Sequence, residues 1–293
     1  MKITNLYALP APIKEAVVFN DQLRGDLDRR DDLISVTKLV NPVQIHYLIR
    51  KYDQELSEDV IDRFWALFGQ AVHAILSWNT PSQDTLTEQR LTIPIAETSM
   101  FLTGQFDRLH LPTKTLSDWK TTSVWSIAEG VKWEWEAQLN CLKYLCQAHG
   151  YNVDKLEIVA ILRDWSSSQQ LRDAEYPPLP VVTLPVKVWT EDETHDYIVS
   201  RMKLHQAALA NNQIPPCSER ERWMRPTTYA VKKPDGKRAL RVFTNREEAQ
   251  QFTAKTTGPH LEVRPGASIR CERFCSVAPY CTQYQAEQQQ LAA

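Results

Sequence analysis

The sequence predicts a mixed α/β fold, followed by a small C-terminal hairpin and a cysteine-rich segment. Three observations support this: apolar residues recur at helical spacing over 42–78, their period changes to two over 88–122, and four of the six cysteines follow residue 216. The 293 residues are enough for one large domain or two modest ones. The predicted segments are an N-terminal arm at 1–32, the α/β domain at 33–213, a basic hairpin with a four-cysteine segment at 214–283, and a flexible tail at 284–293.

The first part of the α/β domain is predicted to be helical. The stretch SVTKLVNPVQIHYLIRKY indicates a helix that begins near Pro42. A second helix follows, and Ser57 is positioned to cap its start. Its apolar residues recur at intervals of three and four, which makes it the strongest helix prediction in the chain; they are Ile61, Trp65, Phe68, Val72 and Ile75.

The middle of the chain alternates strands with helices. Strands are predicted at 88–95, 100–111 and 115–122, where apolar and polar residues alternate. A helix over 128–149 follows, closed by Gly150. The remaining elements of the domain are two further strands, 155–165 and 179–189, and a helix at 191–212.

The C-terminal part differs in composition. TTYAVKKPDGKRALRVF predicts two strands around an Asp235-Gly236 turn, and a short helix follows with Thr244 or Asn245 as its cap. Residues 220–246 contain nine Arg or Lys against two acidic residues, a local excess of seven positive charges. This segment is either a path for a phosphate backbone or an ordinary solvated hairpin.

Composition excludes several classes of protein. Hydrophobic residues make up 43% and charged residues 24%, the balance of a globular protein. A net charge of −2, from 34 basic and 36 acidic residues, argues against a protein that coats nucleic acid through bulk charge. No window approaches about 18 uninterrupted apolar residues, and the N-terminus lacks the apolar core of an export signal. We therefore expect a cytoplasmic protein with no membrane partner, in a reducing compartment where clustered thiols more often bind metal than form disulfides.

The residues best suited to chemistry lie at 104–122. Side chains alternate along a strand, so Asp118 and Lys120 project to one side and Trp119 to the other, while Asp107 lies on the preceding strand. Two carboxylates can hold Mg²⁺ or Mn²⁺, and a nearby lysine can stabilise developing negative charge. The competing interpretation is a surface ion pair between Asp118 and Lys120.

Two upstream residues complete the pattern. His73 lies one helical turn after Gly69, whose missing side chain leaves room for a close approach; alone, this histidine is more often a satisfied side chain beside the core. Glu88 offers a further acidic group, although an exposed charge at the end of a strand is the stronger interpretation of it.

The ordered motifs resemble those of the PD-(D/E)XK nuclease superfamily, and of its RecB-like branch in particular, which includes nucleases of CRISPR adaptation and many phage exonucleases. The resemblance covers about residues 35–165 and rests on Gly69-x-x-x-His73, Gly104-x-x-Asp107, Asp118-x-Lys120 and a downstream helix with Gln138. It implies a restriction-endonuclease-like core, in which a mixed central sheet is flanked by helices. It also implies that His73, Asp107, Asp118 and the Trp119 backbone carbonyl bind the divalent metal, and that Lys120 is the catalytic lysine.

One motif of that family is broken. Four residues after Gln138 stands Leu142 where the family pattern has tyrosine, and the nearest tyrosine is Tyr144. Gln138 therefore lies on an apolar stripe with Leu142 and Leu145. It is either a satisfied core amide or the active-site glutamine of the family.

The cysteines form a second candidate site. Cys271, Cys275 and Cys281 lie close together in the sequence, and Cys217 precedes them by 54 positions, while Cys141 and Cys146 are interpreted as packing residues. Four thiolates can bind zinc or an iron–sulfur cluster. Similar C-terminal cysteines in RecB-like relatives hold a four-iron, four-sulfur cluster, so the resemblance favours that cofactor over zinc; four unrelated thiols remain the alternative.

The predicted function is a metal-dependent DNase that acts on single-stranded or free-ended DNA, with an exonuclease favoured over an endonuclease by the resemblance. Its setting would be recombination, repair or phage DNA processing in a bacterial or phage-infected cell, and a recombination or replication protein is a possible partner. The alternative is a non-catalytic nucleic-acid-binding module that uses the four-cysteine site and the basic hairpin.

Overall fold

The computed structural model describes residues 2–28, 30–78, 83–211, 213–233, 236, 238–256 and 258–292. The chain divides into two units, Met1–Pro215 and Pro216–Ala293. The division lies two residues from the boundary predicted at 213/214. Within the described residues, no helix combines the length and the apolar character needed to cross a membrane.

The first unit is α/β. Its strands are β1 (Lys2–Thr4), β2 (Leu33–Ser35), β3 (Ser57–Asp59), β4 (Thr85–Ile95), β5 (Met100–His110), β6 (Thr115–Thr122), β7 (Lys155–Leu162) and β8 (Val181–Val186). Its helices are α1 (Ala11–Asp28), α2 (Val36–Val40), α3 (Val43–Lys51), α4 (Val60–Ser77), α5 (Trp133–Ala148), α6 (Ser167–Gln170) and α7 (Glu191–Asn211).

Six of these strands form one mixed sheet in the order β2-β5-β6-β7-β8, with β4 paired to β5. The pairs β4–β5, β5–β6 and β7–β8 are antiparallel, whereas β2–β5 and β6–β7 are parallel. Helices pack against this sheet around one large core that includes Leu102 and Phe106 of β5, Leu142 and Leu145 of α5, and Met202 of α7. The predicted α/β architecture with a mixed sheet flanked by helices is therefore confirmed.

The segment predicted as an N-terminal arm, 1–32, contains the strand β1 and the helix α1. β1 pairs in parallel with β3, and α1 packs against α4. Asp59 explains part of this order, since its carboxylate accepts hydrogen bonds from the Thr4 hydroxyl and from the Leu6 amide at 2.7 Å. The arm is thus tied to the start of α4 by one buried side chain.

The cap and the buried face of α4 also differ from the sequence prediction. Asp59, rather than Ser57, caps the helix and forms a capping box with Asp62. The predicted apolar stripe is largely exposed, and Val60 is the buried residue of the helix. A contact with the sheet is made instead at Gly69, where an added Cβ would lie 3.1 Å from Thr121 Oγ1.

The second unit is built around a small sheet. Its elements are β9 (Met224–Arg225), β10 (Thr228–Lys232), β11 (Ala239–Phe243), α8 (Arg246–Ala254), β12 (His260–Arg264), β13 (Ala267–Ser268), α9 (Ile269–Arg273) and α10 (Thr282–Ala292). The predicted hairpin is present as β10–β11, but β12 adds a third strand on the other side of β10, and β9 pairs with β13. The Asp235 part of the predicted turn lies outside the described residues. Asn245 caps α8, and the tail predicted to be flexible at 284–293 lies in α10 through Ala292.

Candidate functional site

The candidate site forms where β5 and β6 separate. Their antiparallel pairing runs from His110↔Thr115 to Arg108↔Ser117 and ends there. Just beyond it, the Trp119 backbone amide donates to Asp107 Oδ2 at 2.7 Å. A side-chain acceptor on β5 thus takes the place of the backbone carbonyl that would continue the strand pairing. Asp107 therefore links the two strands through Oδ2, and its Oδ1 remains available for other contacts.

His73 of α4 reaches the same point. Its Nε2 donates to the Trp119 carbonyl at 3.0 Å, and its Nδ1 lies 3.3 Å from Asp107 Oδ1. The hydrogen bond to Asp107 raises the pKa of His73 above its usual value. Three groups predicted as metal ligands, namely His73, Asp107 and the Trp119 carbonyl, are thus in direct contact.

Glu88 is a member of this group, and its interpretation as an exposed strand-end charge is wrong. The β4–β5 register pairs Thr87 with Arg108 and Gln89 with Phe106, which places Glu88 opposite Asp107. Glu88 lies inside β4 and is partly buried, with Oε1 lacking a hydrogen bond and lying 4.0 Å from His73 Nδ1. Counting back through the four-residue turn between the two strands would have placed Glu88 there from sequence.

Two features mark Glu88 as unusual. Its backbone φ is +51°, in the left-handed region that side-chain-bearing residues seldom adopt within a strand. Burial raises the pKa of its carboxyl, and the neighbouring Asp107 raises it further. Strained backbone and crowded carboxylates both cost stability, and both are concentrated in proteins at functional sites.

Asp118, Lys120 and Gln138 form an adjoining cluster. Lys120 Nζ lies 2.6 Å from Asp118 Oδ2 and donates to Gln138 Oε1 at 3.1 Å, while Gln138 Nε2 lies 3.4 Å from Asp118 Oδ1. Asp118 is only 3% exposed, and burial raises the pKa of its carboxyl. The pair is therefore far from the exposed surface ion pair considered above.

Gln138 and Tyr144 separate in space. Gln138 contacts both Lys120 and Asp118, so the structure places it at the site rather than as an amide satisfied elsewhere in the core. The Tyr144 hydroxyl instead lies 2.9 Å from His195 Nδ1, and His195 Nε2 lies 3.1 Å from Glu97. Tyr144 thus belongs to a different hydrogen-bonded chain.

The donor set fits a hard divalent cation. Among the described residues, His73, Glu88 and Asp107 are the one group of three His, Cys, Asp or Glu side chains whose ligand atoms lie within 4.8 Å of one another. They offer oxygen and imidazole donors, and one buried carboxylate oxygen has no hydrogen bond. Asp118 lies outside this tight group because its carboxylate is paired with Lys120.

The four predicted cysteine ligands lie near one another in the second unit. Burial, then Glu221, then the other three thiols raise the pKa of Cys217 to about 12. Burial, with Cys275 and Cys281, raises the pKa of Cys271 to about 11. Burial and repulsion from neighbouring negative groups disfavour the thiolate form, and a metal would reverse the effect by binding the thiolates.

Residue 217 is tied to the C-terminal helix by one side chain. The Cys217 amide donates to Gln283 Oε1 at 2.8 Å, and Gln283 Nε2 donates to the Cys217 carbonyl at 2.9 Å. The amide of Tyr284 lies 3.5 Å from Cys281 Sγ. Cys217 is therefore held close to the segment that carries Cys281, whereas no three of the four thiol sulfurs, all of them on described residues, lie within 4.8 Å of one another. Cys141 and Cys146 are buried in the core of the first unit.

Some of the basic residues in segment 220–246 form ion pairs within the second unit. Arg222 pairs with Glu287 at 2.8 Å, and Lys232 pairs with Glu262; both basic side chains are mostly buried. The guanidinium of Arg241 lies 4.9 Å from the centre of the Phe243 ring. At least two of the nine positive charges therefore stabilise this unit rather than standing free for a phosphate backbone.

No family model and no curated protein matches the chain. A solved structure titled "Crystal structure of SSO0001" is 14% identical in sequence with a TM-score of 0.47, and the match covers 67% of this chain and 87% of that chain. Likeness at this level supports no inference about activity.

Proposed function

We propose that the chain is a metal-dependent deoxyribonuclease with a restriction-endonuclease-like core of the RecB-like type. The observation that supports this most is the junction of two clusters at the point where β5 and β6 separate: an acidic and imidazole group suited to a divalent cation, and a buried lysine held by Asp118 and Gln138. A divalent cation can activate water and neutralise charge on a phosphate oxygen, and a positively charged side chain nearby can stabilise the charge that develops in the transition state.

His73, Asp107, Asp118 and the Trp119 carbonyl, joined by Glu88, would hold Mg²⁺ or Mn²⁺. The bound ion would supply Lewis-acid stabilisation of charge on a phosphate oxygen and would make water more acidic. The chain's own residues fix the donors beforehand: the Trp119 amide orients Asp107, and the Trp119 carbonyl orients His73.

Lys120 has the second role. Its ammonium group is mostly buried, and both Asp118 and Gln138 hold it in place. A preorganised positive charge in such a site stabilises the negative charge that develops in the transition state, at little cost in reorganisation. Gln138 is a positioning residue in this scheme, since it contacts the lysine and the carboxylate together.

The lysine provides the sharpest test of the activity. Lys120→Ala should reduce cleavage of labelled DNA by about 100-fold or more while leaving DNA binding nearly intact. Lys114→Ala is the matched control, because Lys114 lies in the same β5–β6 hairpin and makes only an exposed pair with Asp154. Asp107→Asn and Asp118→Asn should also remove activity. Equal cleavage by wild type and Lys120→Ala contradicts the assignment.

The substrate form is part of the same proposal: single-stranded or free-ended DNA, degraded as an exonuclease, with a recombination or replication protein as a possible partner. Wild-type protein should degrade linear single-stranded DNA in Mn²⁺ or Mg²⁺ and spare closed circles of the same sequence. Cleavage of closed circles would indicate an endonuclease and contradict the exonuclease assignment. DNA binding without cleavage in any metal would favour the non-catalytic binding module.

For the second unit we propose a four-iron, four-sulfur cluster on Cys217, Cys271, Cys275 and Cys281, with zinc as the competitor. Its role would be structural, since it would fix residue 217 and the segment between the cysteines to the C-terminal helix. Gln283 supports this proposal because it already bonds to both backbone groups of Cys217.

A further inference from the structure

The exposed apolar stripe of α4 has no role in the site described so far. Trp65 is 50% exposed and Phe68 is 40% exposed, although their spacing is that of a buried helix face. The two rings meet edge to face with centroids 6.0 Å apart. An exposed aromatic cluster of this kind in an otherwise ordinary surface indicates an interaction site.

The cluster is aligned with the candidate active site. Trp65, Gly69 and His73 follow one another at intervals of four, so they form a single ridge of α4. His73 contacts Trp119, and Gly69 faces Thr121, so the ridge runs along β6. Trp65 therefore lies beyond the end of β6, about 12 Å along the helix from His73.

Arg163 completes the cluster. Its backbone amide donates to the Thr122 carbonyl at 2.9 Å, which places it at the ends of β6 and β7. Its guanidinium lies 4.2 Å from the centre of the Trp65 ring and is exposed. No carboxylate pairs with Arg163 in the part of the chain that the structure describes. The cluster thus combines stacked flat groups with a positive charge.

We propose that Trp65, Phe68 and Arg163 form a stacking platform for the bases of a single strand whose backbone passes the site at His73 and Lys120. The inference rests on the proposed nuclease function and specifies its substrate as single-stranded nucleic acid. Bases stack on aromatic rings and on guanidinium planes, while the adjoining phosphates neutralise the arginine. In a paired duplex the base faces are already stacked on one another and are not accessible to this platform.

Charge distinguishes this occupant from a protein surface. An apolar protein surface would bury the Arg163 guanidinium without a counter-ion, which is costly. A nucleic acid strand supplies an anion at every nucleotide. The combination of half-exposed rings and an uncompensated cation therefore fits a single strand better.

The test is binding in EDTA, where cleavage does not occur, measured by fluorescence anisotropy. The probes are a labelled oligothymidine of about 12 nucleotides, an abasic strand of equal length, and a duplex. Wild type should bind oligothymidine about 5- to 150-fold more tightly than the abasic strand, the range for loss of one stacked base. Trp65→Ala should abolish this preference, and Trp65→Phe should keep most of it.

Phe101→Ala is the matched control. Phe101 is an aromatic residue of similar exposure, 38%, but lies six residues from Asp107 on β5, about 20 Å away along the strand. It should leave the base preference unchanged. Arg163→Gln should weaken binding of both single strands. It should also reduce the slope of log affinity against log salt concentration by about one, the value for loss of one phosphate contact.

Two results would overturn the platform. One is an equal effect of Trp65→Ala on oligothymidine and on the abasic strand, including no effect on either. The other is a change in oligomeric state of Trp65→Ala on size exclusion with DNA binding intact, which would assign the stripe to a second copy. A base preference that depends on Trp65 in a protein that cleaves no DNA in Mn²⁺ would support the platform and contradict the nuclease, so the two failures are distinguishable.

Discussion

Asp107 connects three elements of the candidate site at a single carboxylate. It accepts from the Trp119 amide of β6, contacts His73 of α4, and stands opposite Glu88 of β4. Two carboxylates facing each other across paired strands repel, and a positive charge between them relieves that repulsion. The His73 imidazole, whose pKa is raised by Asp107, supplies such a charge when it is protonated, and a divalent cation would supply it in the proposed enzyme.

A first prediction at this scale concerns Glu88. Glu88→Gln should weaken Mn²⁺ binding about 10-fold or more, because it removes a carboxylate from the cation's surroundings while keeping the side-chain shape. Titration calorimetry of the whole protein measures this. Glu97→Gln, at the other end of the β4–β5 hairpin, is the control and should bind Mn²⁺ like wild type. If the two variants bind the ion equally well, Glu88 is no ligand.

His205 of α7 is a buried histidine outside the site. It is 4% exposed, and burial, with Arg201 and Lys38, lowers its pKa from 6.5 to about 3. The folded protein therefore keeps this imidazole neutral where the unfolded chain protonates it. Its contribution to stability is complete above pH 6.5 and is lost progressively as the pH falls from there toward 3.

This gives a pH prediction. When the pH falls from 7 to 5, the unfolding free energy of His205→Gln should decrease by about 2 kcal/mol less than that of wild type. The reason is that in wild type only the unfolded state binds a proton at His205 in this range, and the substitution removes that proton binding. Urea unfolding at both pH values measures the difference. His149→Gln is the control, since His149 is exposed. A parallel loss of stability in wild type and His205→Gln would show that this imidazole does not control the acid response.

At the scale of elements, the placement of α5 on the sheet determines where Gln138 lies. Gly104 of β5 allows this approach: an added Cβ would lie 2.6 Å from Leu142 and 2.8 Å from Leu145, both on α5, and 2.9 Å from Val36. All three contacts are with buried side chains in a packed core. The glycine in the Gly104-x-x-Asp107 motif thus has a packing role that positions a neighbour of Lys120.

Gly104→Ala should therefore destabilise the first unit by about 1–3 kcal/mol, the usual cost of overpacking a core. Gly69→Ala is the matched substitution on α4, where the nearest atom is a single hydroxyl at 3.1 Å and alanine favours the helix. It should cost less than Gly104→Ala. Thermal unfolding of both variants checks the order, and the reverse order would contradict the packing role of Gly104.

At the scale of the whole molecule, the two units place the two candidate metal sites in separate parts of the chain. The first unit contains the acidic site and Cys141 and Cys146, whereas the second contains the four clustered thiols. The units need not share their stability, so loss of one site can leave the other folded. This separation makes the role of the cysteines measurable.

Protein purified without oxygen should be brown, with broad absorbance near roughly 400 nm and bound iron. Cys281→Ser should bleach this colour and lower the unfolding temperature of the second unit in calorimetry, while the transition of the first unit stays in place. Cys146→Ala is the control and should keep the colour. Stoichiometric zinc without iron would show that the site binds zinc and not an iron–sulfur cluster. The absence of both metals would contradict a shared metal site.

Much of the architecture was predictable because it depends on short-range patterns. The three strands around the site, β4, β5 and β6, follow from alternation over 88–122, and the helices α5 and α7 lie within the stretches predicted to be helical at 128–149 and 191–212. Exposure was harder to predict. The apolar stripe of α4 has the spacing of a buried face, yet its burial depends on whether another element covers it, and spacing alone contains no such information.

The sequence by itself determined the α/β class, the order of the main elements from α3 to α7, and most of the candidate site residues. Alternation and helical spacing are patterns among residues close together in the chain, so they can be recognised from the sequence alone. Only the tertiary structure decided which charged groups meet: Glu88 joins His73 and Asp107, Asp118 pairs with Lys120, and Tyr144 turns to His195. These contacts depend on strand register, on the separation of β5 and β6, and on helix placement, because side chains far apart in sequence interact only once the backbone has brought them within a few ångströms.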